Sequence, residues 1–530
     1  MYRQILDPVA HSLAWSSLVA ALPPGSLFVM LGVLRMRAWI ASVLSLAVAI
    51  VVAVAVYKMP IGQAVLAGSE GAVFGFFPIL WIVINAIWVY QMTVQTGHFD
   101  VLRRSFATVS DDHRIQAVIV AFSFGALLEA LAGFGTPVAV TSVMLLALGF
   151  KPLKAAALSL VANTAPVAYG AMATPIITLA KVSGLPTETL GAMVGRQTPI
   201  LSVIVPLALV FIVDGRRGLR ETWPAALTGG VVFGLGQYAT SNFVSVPLAD
   251  VVASLLSALA LVAMVRIRRS RKDSGPTEGA ADVGSRAEVA RAYAPYLIII
   301  VVFVICQIPA VKRLLESATL TVHWPGLHLL TAKGAVSAIP AFTFNVLTTP
   351  GTQMLAAGLI TMAVLRVSPA GAVKAYGATL HQLRWAIVTV MAVLALAFVM
   401  NASGQTITLG TWMAGAGGAF ALLSPILGWL GTAVTGSDTS ANSLFGALQV
   451  TAASKAGLSP VLMAAGNSSG GVLGKMISPQ NLAIGASAVG LHGKEGDLFR
   501  RVVIWSVVFL VLVCLLSGLQ ASVLSWMVPA

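Results

Sequence analysis

The sequence predicts an all-α polytopic membrane protein of about twelve transmembrane helices and two re-entrant helical hairpins, arranged as two inverted-topology repeats. Composition, a lopsided distribution of basic residues, and a motif that recurs in the second half point to it. Hydrophobic residues make up 58% of the 530 and charged residues only 9%. A water-facing domain carries about 25% charged residues, so this chain cannot cover a soluble surface. The net charge of +14 is accounted for by basic loops flanking membrane spans and requires no nucleic acid partner. Cys306 and Cys514 lie inside apolar runs and define no disulfide framework. Residues 1–25 do not read as a cleaved leader, because Asp7 accompanies Arg3 and the apolar stretch continues past Pro23-Pro24-Gly25.

A spanning helix needs about 20 mostly uncharged residues. Such runs lie near 13–34, 38–57, 71–95, 155–180, 197–213, 223–241, 248–265, 293–310, 341–365, 385–400, 458–490 and 502–528. Two further apolar blocks, 115–149 and 411–454, are too long for one crossing and are interrupted by Gly-rich, polar tips. If neither block crosses and the N-terminus is outside, 23 of the 32 Lys and Arg fall on the inner side, as the positive-inside rule requires. If either block crossed, the later loops would change sides and the bias would weaken. The C-terminus is then also outside. The one hydrophilic segment, 266–292, is a cytoplasmic linker whose basic, Gly- and Ser-containing composition suits a flexible connection.

The halves match each other. Asn163-Thr-Ala-Pro-Val-Ala-Tyr-Gly170-Ala-Met172-Ala-Thr174-Pro175 recurs 304 positions later as Asn467-Ser-Ser-Gly-Gly-Val-Leu-Gly474-Lys-Met476-Ile-Ser478-Pro479, and Gly133-Phe-Gly-Thr136 recurs as Gly436-Ser-Asp-Thr439. The resulting organisation is an N-terminal span in 1–37 and a first repeat over 38–213 with hairpin 115–149. Two connecting spans in 214–265, the linker 266–292, and a connecting span and outside segment in 293–340 follow. A second repeat over 341–516 contains hairpin 411–454, and 517–530 ends the last span. Three spans between the copies insert the second one upside down, which is the architecture of secondary transporters.

Hairpin tips and broken helices expose backbone polar groups at bilayer depth, which is tolerable only toward a cavity, a ligand or other protein. Helix N-termini there suit a small anion. Gly135 permits close backbone approach. Thr136, Asn163, Thr164, Thr439, Ser440, Asn442, Asn467, Ser468 and Ser469 supply short hydrogen-bonding groups suited to a carboxylate and a hydroxyl, or else cap helices. Of the 18 acidic residues, Glu129 and Asp438 are the ones placed at depth, where an ionisable group is costly and usually has a task. Each is a candidate for binding a coupling proton or Na⁺, or for a structural partnership with Lys475. Lys475, the one basic residue inside a span, can receive a substrate carboxylate, neutralise Asp438, or snorkel to the interface. Gly466-Asn-Ser468-Ser-Gly470 fits a hydrolase G-x-S-x-G pattern but lacks its strand-turn-helix context. No metal or cofactor motif is present.

At these residues the sequence resembles the lactate permease family of bacterial secondary carriers. The resemblance rests on Phe122-SFGALLEALAGFGTPVAVT-Ser142, Asn163-TAPVAYGAMATP-Ile176, Gly436-SDTSANSLFGALQ-Val450 and Asn467-SSGGVLGKMISPQN-Leu482. It implies uptake of L-lactate, and often D-lactate or glycolate, by proton symport across the bacterial inner membrane. It also implies membership of a wider ion-transporter superfamily whose relatives move a two-hairpin transport domain against a static scaffold, an elevator. In those relatives substrate and Na⁺ sit at Ser-Asn-Thr-type tips. Asn163-Thr164 and Asn467-Ser468 are the nearest matches here, in a different local order. The expected function is therefore symport of a small 2-hydroxymonocarboxylate with a proton, without a cofactor, in the bilayer. A homodimer is compatible with it. A Na⁺-driven carboxylate carrier of the same fold is the nearest alternative. An ion channel and an intramembrane hydrolase are alternatives of other classes.

Overall fold

The structure is a computed structural model that describes residues 1–107, 109–110, 112–133, 135–270, 285–491 and 493–529. Most of the predicted linker 266–292 lies outside the described residues. Among the described residues the chain is all-helical apart from two small β ladders. Among the described residues, ten helices are long and apolar enough to cross a membrane, or eleven if the bent pair Pro152–Ala162 and Val167–Ser183 is one span. The protein is thus a multi-pass membrane protein with fewer uninterrupted spans than the twelve expected.

The differences have local causes. In the expected span 341–365, Ala341–Phe344 is a strand paired with Leu320–His323. Phe342 is buried while Thr343 is exposed, so what reads as an apolar run is a period-2 pattern. The helix that follows, Pro350–Val364, has only 15 residues. The expected span 458–490 is broken into Pro460–Gly474 and Pro479–Ala488 by a turn of 3₁₀ helix at Lys475–Ile477. Two expected spans, 197–213 and 223–241, are joined by a kink at Asp214 and Gly215. They fold back on one another, since a Cβ at Gly230 would strike the backbone at Ser202 and Val203.

Both long apolar blocks double back. The first runs as helix to Leu131, turns through Gly133 and Gly135, whose φ values of +51° and +82° suit glycine, and returns as Thr136–Ala147. Its ends meet, with the His113 and Phe150 rings 5.5 Å apart. The second descends as Phe420–Thr435, turns at Gly436 and Ser437, and returns as Asp438–Ala456. Gly410 lies against Leu448 and Thr451 where this block starts and ends.

Segments assigned to one side of the bilayer also touch each other. Tyr2 and Arg3 pair with Leu329 and Leu330, and the Tyr2 hydroxyl donates to the carbonyls of Tyr57 and Ser403. On the other side Lys154 Nζ donates to the Val213 carbonyl, and Arg114 bridges Asp112, Asp214 and Glu221 at 2.8, 3.2 and 2.6 Å. Burial opposes ionisation of Asp112, but hydrogen bonds from Arg114 and from backbone amides outweigh it and hold its carboxyl below the usual range. A depressed carboxyl contributes stability above the ordinary carboxylate range, and that contribution is lost as pH falls through it. Arg114→Ala is therefore expected to lower the unfolding temperature in detergent at neutral pH. The difference from the parent protein should shrink toward acid, as a pH series of thermal melts will show.

Candidate functional site

The two doubled-back blocks and the two broken helices converge on one cavity of about 600 Å³. The first hairpin gives Glu129 and Gly133, and the first broken helix gives Gly170, Ala171, Thr174 and Pro175. The second hairpin gives Thr435 through Ser440, and the second break gives Lys475 and Gln480. The remaining wall comes from Arg37 and Trp39 at the start of Ala38–Ala55, and from Trp385 and Thr389 in Pro369–Ser403. Trp39 and Trp385 stack with centroids 4.8 Å apart at the end where exposed Arg37 stands.

The local sequence explains the breaks. Pro166, and Pro175 behind Thr174, deny the first helix its backbone donors. Ala171, Met172 and Ala173 take left-handed φ values of 44°, 57° and 59°, which L-residues adopt only when surroundings hold them there. In the second break Pro479 follows Ser478, which caps the next helix by accepting from the Asn481 amide at 3.3 Å.

Asp438 occupies the first turn of its helix, where the dipole favours a negative charge. Its Oδ2 accepts from Ser468 Oγ at 2.7 Å and from Asn442 Nδ2 at 3.3 Å. Its Oδ1 lies over Gly471, at which any Cβ would strike it. Behind it runs a buried polar chain. Gln449 Nε2 donates to Asn467 Oδ1 at 3.0 Å, and Asn467 Nδ2 donates to Asn442 Oδ1 at 2.9 Å. Asn442 Nδ2 also reaches the Pro175 carbonyl at 3.2 Å, tying the second hairpin to the first broken helix. Asp438 Oδ1 and Gln449 Oε1 stay buried without a hydrogen-bond partner, so the network is satisfied only in part.

Lys475 is not the partner of Asp438. Its Nζ donates to Glu129 Oε1 at 2.6 Å, and the side chains are 8% and 3% exposed. This buried ion pair joins the second break to the first hairpin. Gly170 is required beside it, because a Cβ there would lie 2.6 Å from Glu129 Oε1.

Of the predicted site residues, Glu129, Asp438, Thr439, Ser440 and Lys475 line the cavity. Asn442, Asn467 and Ser468 stand one layer behind. Asn163 and Thr164 line a narrower crevice that also touches Lys475 and Asn481. Ser469 is turned away, donating to Gln197 Oε1 at 2.6 Å. Gly135 lies against Ile484 and Asn481, and Thr136 starts the return helix beside it. Neither is among the residues that line the cavity.

Sequence reasoning missed Gln449, although its spacing from Asp438 and Asn442 puts all three on one helix face. It also missed Asn481, whose Nδ2 donates to the Gly436 carbonyl at 3.3 Å. Glu70 and Asp250, at the ends of apolar runs, are not among the candidates the sequence offers, yet both are fully buried. Asp250 Oδ1 accepts from Gln237 Nε2 at 2.7 Å. Among the described residues no three His, Cys, Asp or Glu side chains gather as a metal site requires.

A multi-pass helical chain that holds a polar, charged cavity between broken helices is a membrane transport protein. The family model described as L-lactate permease matches residues 16–524. The chain is 42% identical to L-lactate permease of Escherichia coli K12 and 39% identical to that of Bacillus subtilis 168, with 100% of each chain covered. It is 40% identical to glycolate permease GlcA of E. coli K12, over 99% of both. The solved structure of Neisseria gonorrhoeae MtrF is similar at 14% identity and a TM-score of 0.44, covering 85% of this chain and 83% of that one. The chain belongs to the L-lactate permease family, a family of permeases and not of enzymes.

Proposed function

We propose that this protein takes up L-lactate, together with D-lactate and glycolate, by proton symport across the bacterial inner membrane. The observation that carries the reading is the cavity. Its wall combines a buried ammonium, two buried carboxylates and short hydroxyl and amide groups, a set matched to a small carboxylate with a neighbouring hydroxyl. L-lactate and glycolate permeases about as similar as 40% support that substrate class. Thr439, Ser440 and the N-terminal turn at the second tip cradle the substrate. The coupling proton binds at the cavity carboxylates, Asp438 with Glu129 beside it. Hairpins that return to the side they leave, and breaks at Ala171–Ala173 and Lys475–Ile477, 304 positions apart, support two inverted copies moving against a scaffold. Under this reading the termini are outside.

Purified protein in proteoliposomes is expected to accumulate L-lactate, D-lactate and glycolate when a pH gradient alone is imposed. Accumulation driven by a Na⁺ gradient alone would overturn the proton assignment in favour of a Na⁺-driven carrier. Conductance without saturable counterflow would favour a channel.

A further inference from the structure

We propose that Lys475 alternates between Glu129 and the substrate carboxylate, and that Glu129 takes up the transported proton when it releases Lys475. This rests on the reading of the cavity as a 2-hydroxymonocarboxylate site and states how coupling is enforced there.

The geometry limits the options. Lys475 lines the cavity, yet its ammonium is already held by Glu129 at 2.6 Å, so an entering carboxylate must compete with Glu129. Glu129 Oε2 is buried and has no hydrogen-bond partner, which leaves that oxygen to form the new O–H bond with a proton arriving from the cavity. The other charged groups on the cavity wall are Asp438 and the exposed Arg37 at the Trp39–Trp385 end, and Asp250, buried on Ala249–Ser270, is near enough to feel the Glu129 charge. The two carboxylates cannot neutralise Glu129 once Lys475 leaves it, and the Arg37 guanidinium stands in solvent with no ion pair to Glu129. A buried carboxylate without a partner is strongly disfavoured, so release of Lys475 and protonation of Glu129 go together.

The charge count then explains coupling. The empty site holds Lys475 as a cation and Glu129 as an anion. The loaded site holds Lys475 as a cation, the substrate as an anion and Glu129 neutral. Lys475, Glu129 and the substrate, where bound, sum to zero in both forms, and both can move through the low-dielectric layer. Substrate without a proton adds an uncompensated anion, and a proton without substrate strands the Lys475 cation. Asp438 makes its hydrogen bonds to Ser468 and Asn442 and none to Lys475, so it passes the proton from the cavity without competing for the ammonium.

Lactate binding, exchange and net uptake in the full chain test this. In detergent at mildly alkaline pH, calorimetry in buffers of different ionisation enthalpy should show about one proton taken up per L-lactate bound, with affinity falling about tenfold per pH unit. Glu129→Gln should exchange lactate at a rate independent of pH while net uptake is lost. Glu129→Gln/Lys475→Gln should fold, since no charge is left unpaired, yet exchange no lactate. Binding without proton uptake, wild-type pH dependence in Glu129→Gln, or lactate exchange by the double variant would each overturn the proposal and leave lactate transport standing. If Glu129→Gln fails to fold, the wild-type and double-variant measurements decide. No lactate exchange by the wild-type protein would sink the transport reading itself.

Discussion

Asp438→Asn is expected to abolish gradient-driven accumulation of L-lactate while leaving counterflow of labelled lactate intact. A carrier coupled to one proton per lactate accumulates about tenfold per unit of imposed pH difference, because each tenfold ratio corresponds to about 1.4 kcal/mol. The variant should reach a ratio of about one. The amide retains the size of the carboxylate and can still meet Ser468 Oγ and Asn442 Nδ2 at the positions now bonded to Oδ2, so the buried chain through Asn467 and Gln449 keeps its geometry. What it cannot do is accept and give up a proton on each cycle. Counterflow swaps lactate for lactate with no net movement of protons, so it does not depend on driving a proton through the carrier. Uphill uptake at the wild-type ratio in folded Asp438→Asn would remove Asp438 from the coupling path. Loss of counterflow in folded protein would place Asp438 in substrate binding instead.

Several of the features behind that expectation can be read from the chain alone, for identifiable reasons. Glycine and proline mark breaks wherever they fall, so the turn at Gly436-Ser437 and the interruption near Ser478-Pro479 are local properties. Asp438, Asn442 and Gln449 share a face by helical spacing. Pairings between distant segments leave no such trace. Glu129 and Lys475 are 346 positions apart, and Gln197 and Ser469 are 272 apart. Asp438 was as plausible a partner for Lys475 until the two hairpins were brought together. Glu70 and Asp250 flank apolar runs, where a carboxylate reads as a loop residue, and only tertiary packing buries them. The strand Ala341–Phe344 failed for another reason: four alternating residues beside a proline-started helix are indistinguishable by composition from the beginning of a span.

The largest expected loss of folded protein comes from a single methyl group between two helices of the second half. Pro460–Gly474 crosses Phe420–Thr435 so closely that a Cβ at Gly470 would strike the Pro425 carbonyl, one at Gly474 the Trp429 carbonyl, and one at Gly428 the Asn467 carbonyl. Gly466, Gly470 and Gly474 follow the four-residue spacing by which small residues let membrane helices touch backbone to backbone. Overpacking a core costs about 1–3 kcal/mol when side chains can adjust, but a backbone carbonyl in a helix cannot turn aside, so the helices must separate. Separation would also displace Asn467 and Ser468, and with them the hydrogen bonds that hold Asp438. Gly470→Ala is thus expected to reduce the monodisperse fraction on size exclusion sharply and to remove lactate counterflow from whatever folds. Gly62→Ala serves as the comparison: Gly62 is exposed and its Cβ would meet nothing within 4 Å, so that variant should match the parent. Equal yield, unfolding temperature and counterflow in Gly470→Ala would mean that the two helices do not pack at this distance.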